Sequence, residues 1–492
     1  VYVYGKDDAT MNYVLDSSKA HHKYFEELCY IPHPPFQEKA LSEYVIAFAK
    51  ERGLWHYTDS LYNVVVKKPA TPGYENAAPV MLQAHMDMVC EKTPEKVFHF
   101  ETDPLQLQVR DGWVMATDTT LGADDGYGVA YMLAILDADD IPHPALECFF
   151  SVQEEVGIGG PRGMDYSQLS ARRYINLDGV QEGSTNVSTA NVIGGDFKRP
   201  IVMQENSKPC YTVHICGLSA GHASLNIVKD QANAVKLAAR ILFAIGKEAK
   251  VHLASIQGGT IRNGIAEECD ATFACEASEE HIRDIVAAVF AAAREEHELT
   301  DPHMDIRLQP APTAPLVMDD LSSSEAIHLL HVLPSGSHMT NKRAINPTMS
   351  LASRNMGNVS SADGVLTVGY MFRCNIKSQL WDLFDQTCLL ASRFGAYYDR
   401  EYVYAGYTAD TEHSEMLKLW QKVYRDFTGK ELYLKYTHGG SDIGSINDGM
   451  GGIDAIVVSP DIKFVHRPTE AMDLASFDRT FEYVKAILAQ LK

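Results

Sequence analysis

The sequence predicts an α/β protein whose mostly parallel sheet is flanked by helices and whose chain is interrupted by an inserted α+β domain. Strand and helix signals alternate through the first part of the chain. That character changes near residue 196, and the alternating pattern returns after Gly406. At 492 residues the chain also exceeds one hydrophobic core, since single cores stop growing at roughly 250–300 residues.

Taken in order, Leu41, Tyr44, Val45 and Phe48 recur at helical spacing, and Gly53 stops that helix. Residues 63–66 and 80–82 read as short strands, 127–136 as an apolar helix, and 147–152 and 173–177 as strands. Such alternation argues a layered, largely parallel sheet. Beyond 196, residues 210–216 predict a strand, 229–246 an amphipathic helix, 270–276 a strand and 278–297 an Ala-rich helix. A strand, helix, strand order recurs at 365–374, 378–393 and 396–404, which suggests an internally duplicated antiparallel sheet with helices on one face. A helix at 413–428 and a strand at 455–458 then return the chain to the first domain. The expected division is 1–195, 196–405 and 406–492, with Gly194–Gly195 and Gly406 at the joints.

Composition removes several function classes. Apolar residues at 46% and charged residues at 22% are an ordinary globular balance. The net charge of −22 comes without any cluster of Lys and Arg, so a phosphate backbone is not an expected partner. Nine cysteines form no CxxC pair and scatter from Cys29 to Cys388, the pattern of reduced thiols in the cytoplasm. Residues 1–11 show no basic segment leading into an apolar one, and no apolar run reaches ~18 residues, so neither export nor membrane insertion is expected.

Five short motifs lie where strands end, the edge at which open α/β sheets bind ligands. In 81–92, MLQAHMDMVCEK, His85 and Asp87 point the same way, because side chains alternate with period two. His85 can hold a metal while Asp87 orients its other ring nitrogen; a solvated surface pair is the other reading. In 121–128, LGADDGYG, Asp124 is either a turn or helix-cap acid or a carboxylate bridging two cations. In 150–160, FSVQEEVGIGG, two glutamates leave an apolar strand, and burying both requires cations or partners. Glu155 suits a ligand and Glu154 a general base that takes a proton from water; an exposed acidic turn is the alternative. Asp178 in YINLDG and His466 in FVHRPTE complete the set, although a lone Asp or His at a strand end is more often structural.

Together HMD, GADDG, QEE, NLD and the late His of FVHRPTE resemble the dinuclear-zinc dipeptidase, tripeptidase, aminoacylase and carboxypeptidase superfamily. Within it the chain is most similar to the aminoacyl-histidine (Xaa-His, carnosinase-like) dipeptidases, over essentially its whole length. The resemblance implies two zinc ions, with Co2+ or Mn2+ as substitutes. One would take His85 and Asp178, the other Glu155 and His466, with Asp124 between them and a cis Asp124–Asp125 peptide bond. Glu154 would be the base for a water activated by the zinc pair, with Asp87 supporting His85. His222, in GLSAGHASL, would stabilise the oxyanion from the inserted lid domain of a homodimer. Here the chain departs from the family's GGHSG-like stretch. A substrate carboxylate would meet Asn263, Arg373, His438 and Gly439, although the family's Arg-Ser-Ser is Arg-Cys-Asn here. The implied activity is cytoplasmic hydrolysis of small Xaa-His peptides. An N-acyl-amino-acid deacylase or tripeptidase using the same metals, and a non-catalytic peptide-binding relative, are the competing readings.

Overall fold

A computed structural model describes residues 13–340 and 349–492. The segment 1–11, on which the export expectation rested, lies outside them. The chain divides into two compact units. One runs to Val187 and resumes over Thr408–Lys435 and Ser441–Lys492; the other comprises Ser188–Tyr407 and Tyr436–Gly440. The strand Asn191–Pro200, which a joint at 195 would cut, falls wholly in the second unit, and residues 436–440 join that unit from beyond the expected insertion.

The first unit is built on a six-stranded sheet in the order Trp55–Thr58, Val64–Lys68, Leu146–Ser151, Val80–His85, Arg173–Asn176 and Asp454–Val457. Val80–His85 runs parallel to both of its neighbours, and Asp454–Val457 runs parallel to Arg173–Asn176. The first two strands are antiparallel additions at one edge. Val80–His85 and Leu146–Ser151 are buried at every position, which explains why they read as continuous apolar runs rather than alternating ones. The helix Ala123–Asp137 is buried almost all round and packs on Val80–His85. Gly128 permits that contact, because a Cβ there would stand 2.8 Å from the Cβ atoms of Ala84 and Leu177.

The second unit contains a nine-stranded sheet whose paired neighbours are antiparallel, among them Cys210–Cys216, Cys269–Cys275, Val365–Cys374 and Tyr397–Tyr404. Its core joins these strands to the helices Ala234–Gly246, Asp320–Val332 and Lys377–Ser392. The expected helix at 229–246 begins later, at Ala234. Asp230 is left-handed at φ 53°, and the Asn233 side chain accepts from the Val235 and Lys236 amides, which caps the helix there. The helix expected at 413–428 starts at Glu415 behind a Ser414 cap and ends at Gly429, φ 70°. Among the described residues, no helix is long and apolar enough to cross a membrane. All nine cysteines are free.

Candidate metal centre

The carboxyl ends of the parallel strands carry the expected side chains, all in the first unit. His85 closes Val80–His85, Glu154 and Glu155 follow Leu146–Ser151, and Asp178 follows Arg173–Asn176. Asp124 stands in the first turn of Ala123–Asp137. His466 lies between two short strands, Ile462–Lys463 and Ala471–Asp473, which pair with each other in a separate four-stranded sheet. Both His466 (φ 63°) and Phe464 (φ 56°) are left-handed, which tightens the turn that presents the imidazole.

These groups converge on Asp124. Its Oδ1 lies 3.2 Å from His85 Nε2 and its Oδ2 lies 3.4 Å from His466 Nε2. His466 Nε2 is also 2.9 Å from Glu155 Oε1. Ligand atoms of His85, Asp124 and Glu155 fall within 4.8 Å of one another, as do those of His85, Asp125 and Asp178. The Asp124–Asp125 peptide bond is cis.

Around this centre the chain spends buried polar groups on orientation. His85 Nδ1 is 2.9 Å from the Asp87 carbonyl oxygen and 3.5 Å from its carboxylate. The Asp87 carboxylate accepts from the backbone amides of Glu154 (2.9 Å) and Glu155 (3.0 Å), so it pins the glutamate pair as well as flanking the imidazole. Sequence reasoning missed that second task, and it missed three further acids. Asp125 is buried and accepts from the His85 amide at 3.1 Å, while its Oδ1 has no hydrogen-bond partner among the described residues. Asp442 accepts from Gln83 Nε2 (2.6 Å) and Ser151 Oγ (2.7 Å) beneath the strand ends. Glu470 accepts from the loop that precedes Asp124. The adjacent acids of GADDG and the final Glu of FVHRPTE were visible signals for two of them.

Charge balance tests whether cations fit. Burial pushes the carboxyls of Asp178, Glu154 and Asp125 well above the usual range, and neighbouring acids add to the push. Burial likewise carries Asp442 and Glu470 up to about 7. Burial works against charging His85, yet hydrogen bonds to Asp124 and Asp87 hold it well above an ordinary histidine. Without cations, this many acids around two imidazoles can persist only by taking up protons. Divalent ions are the charge such a donor set requires, and oxygen and imidazole ligands suit zinc and similar metals.

The expected substrate-binding residues lie in the second unit. Arg373, 3% exposed, donates from Nη2 to Asn263 Oδ1 at 2.9 Å and from Nη1 to the His438 carbonyl at 3.3 Å. His222 Nδ1 accepts from the Ser224 amide at 3.2 Å. Ser224 Oγ also lies 2.5 Å from Nδ1, and the NH2 group of Asn263, Nδ2, faces His222 Nε2 at 2.5 Å. The Asn263 amide thus meets Arg373 through Oδ1 and His222 through Nδ2. The His438 ring is buried, with Nε2 2.7 Å from Ser353 Oγ and Nδ1 3.3 Å from Asn375 Oδ1. Burial, assisted by Arg373, holds its pKa down to about 3. Its side chain is thus occupied within its own unit, and its carbonyl is the group that meets Arg373. Gly439 donates its amide to Thr437 Oγ1 and accepts from the Ala190 amide.

Acids and imidazoles gathered at the parallel strand ends of an α/β sheet form a candidate divalent-metal site. The sequence model for Peptidase family M20/M25/M40 matches residues 81–490. The chain belongs to that family and is a metallopeptidase. It is 29% identical over 472 residues to the cytosol non-specific dipeptidase of Escherichia coli (strain K12), covering 95% of this chain and 96% of that one. The crystal structure of the aminoacylhistidine dipeptidase from Vibrio alginolyticus superposes with a TM-score of 0.85 at 27% identity, covering 98% of this chain and 99% of that one. Aminopeptidase PepT from Bacillus cereus shares the fold, with a TM-score of 0.52 at 16% identity over 97% and 99% of the two chains.

Proposed function

We propose that this metallopeptidase hydrolyses the peptide bond of dipeptides, the Xaa-His type among them, in the cytoplasm and as a homodimer formed through the inserted unit. The observation that carries the reading is Asp124, whose two oxygens face different imidazoles, those of His85 and His466. Full-length similarity to two dipeptidases supports the substrate class.

His85 and Asp178 would hold one zinc ion, Glu155 and His466 the other, with Asp124 shared. When bound, such a pair supplies Lewis acidity toward the scissile carbonyl and lowers the pKa of water toward ~7. The remaining steps belong to the chain. Glu154, its backbone fixed by Asp87, takes the proton of the attacking water and returns it to the departing amine. His222 would stabilise the oxygen that gains negative charge. Arg373 and Asn263 receive the terminal carboxylate of the substrate.

The test is a panel of β-Ala-His, other dipeptides, tripeptides and N-acyl amino acids, assayed with zinc-loaded and chelated protein. Metal-dependent release of histidine or another C-terminal amino acid from dipeptides is the expected result. Turnover confined to acyl compounds or to tripeptides would replace the dipeptidase reading. No turnover of any substrate by protein with bound zinc would favour a binding role.

A further inference from the structure

The segment that supplies His466 ends in a glutamate with no role in the reaction as described. Glu470 is 2% exposed. Its Oε2 accepts from the backbone amides of Leu121 (3.0 Å) and Gly122 (3.2 Å), and its Oε1 accepts from those of Ala123 (3.0 Å) and Asp124 (3.3 Å). These four consecutive amides run from the loop into the start of the helix Ala123–Asp137, where Asp124 is itself non-helical (φ −83°, ψ 101°). The local sequence cannot cap them, because Gly122 stands at the cap position without a side chain and in the left-handed region, φ 68°. A carboxylate 346 positions away from Asp124 does so instead.

The same short segment touches the Asp124 side chain, through His466 Nε2 at 3.4 Å. Residues 466–470 therefore hold Asp124 from both ends, main chain and carboxylate. The amides that Glu470 fixes belong to the loop that aims Asp124 Oδ1 at His85 and Oδ2 at His466.

We infer that Glu470 is a positioning residue for the metal pair: it fixes the loop that presents Asp124 and so sets how tightly the divalent ions are held. This rests on the metallopeptidase reading of the Asp124 site. A carboxylate is required because each oxygen accepts from two amides. A glutamine of the same shape has one acceptor oxygen and would turn an NH2 group onto two N–H donors.

The experiment compares wild type, Glu470→Gln and Glu470→Asp as full-length chains. Zinc affinity is measured by competition with a chromophoric chelator, the visible spectrum is recorded after loading with Co2+, and melting is followed without metal. Glu470→Gln is expected to bind zinc about 10- to 100-fold more weakly, the range seen when groups supporting metal ligands are removed, and to alter the Co2+ spectrum. Glu470→Asp, which keeps both oxygens, is expected to recover part of the affinity. It also serves as the decisive variant if the metal-free Gln protein melts too low to assay. Wild-type zinc affinity and Co2+ spectrum in a folded Gln or Asp variant would overturn the role of Glu470 and leave the metal site standing. A wild-type protein that binds no divalent ion would overturn both.

Discussion

Glu154 and Glu155 are adjacent in sequence and share Asp87 as their backbone anchor. Glu155 is 2.9 Å from His466 Nε2 and is proposed as a ligand, and Glu154 is proposed as the proton acceptor. Glu154→Gln is therefore expected to retain bound zinc, measured by elemental analysis, while kcat falls by about 10²-fold or more, the usual contribution of a general base. Loss of zinc from this variant would make Glu154 a ligand. Near-normal kcat would remove it from proton transfer. Asp87 illustrates what local sequence conveys and what it does not. The HMD spacing turns its carboxyl toward the His85 ring, 3.5 Å from Nδ1, but nothing local announced that the same carboxylate would reach two amides some 67 residues onward.

Among the elements, the clearest dependence on a single side chain lies in the second unit. Lys236, in the helix Ala234–Gly246, places its ammonium 2.9 Å from the Leu330 carbonyl, 2.5 Å from that of His331 and 2.8 Å from that of Leu333. These are the unpaired carbonyls at the end of the helix Asp320–Val332, where a cation also meets the negative pole of the helix. Lys236→Met keeps most of the stem volume and removes the donors. It is expected to destabilise the fold by roughly 1–3 kcal/mol, read as a shift in the denaturation midpoint with kcat and KM unchanged in the surviving protein. A variant as stable as wild type would mean that water replaces the ammonium. The helices read from apolar spacing formed in both units and moved their boundaries at caps, whereas Ala20–Cys29, Asp320–Val332 and Leu474–Gln490 were not read from the sequence. Asn233 delays one start and Ser414 sets another, and each depends on a hydrogen bond that periodicity does not encode.

The whole molecule should respond to metal and to acid in separable ways. Because buried acids crowd the metal centre, adding zinc to chelated protein is expected to raise the melting temperature in proportion to the logarithm of free zinc, as binding to the native state alone requires. A zinc-insensitive melt would contradict a native-state site. Acid acts elsewhere as well. Burial holds His21 and His338 down to about 4 and His438 down to about 3, even though Asp478 pulls His21 the other way. An unfolded histidine takes its proton near 6.5, so between about 6.5 and 4 the unfolded chain binds more protons than the native one. Stability from these groups is complete above that window and is lost as the pH falls through it. Melting of metal-free protein should therefore decline below about pH 6.5, and less steeply in His338→Gln; an unchanged slope would exclude His338 from the effect. As to origin, the linear chain already specified the α/β class and set the candidate ligands in order near strand ends, because apolar period and strand-end position are local properties. The anchoring of Asp124 by Glu470, the placement of Asp442 under Gln83 and Ser151, and the return of residues 436–440 to the second unit emerged only on folding. Each joins groups far apart in sequence through a few directional hydrogen bonds or a single chain reversal, and such pairings leave no periodic trace in the order of residues.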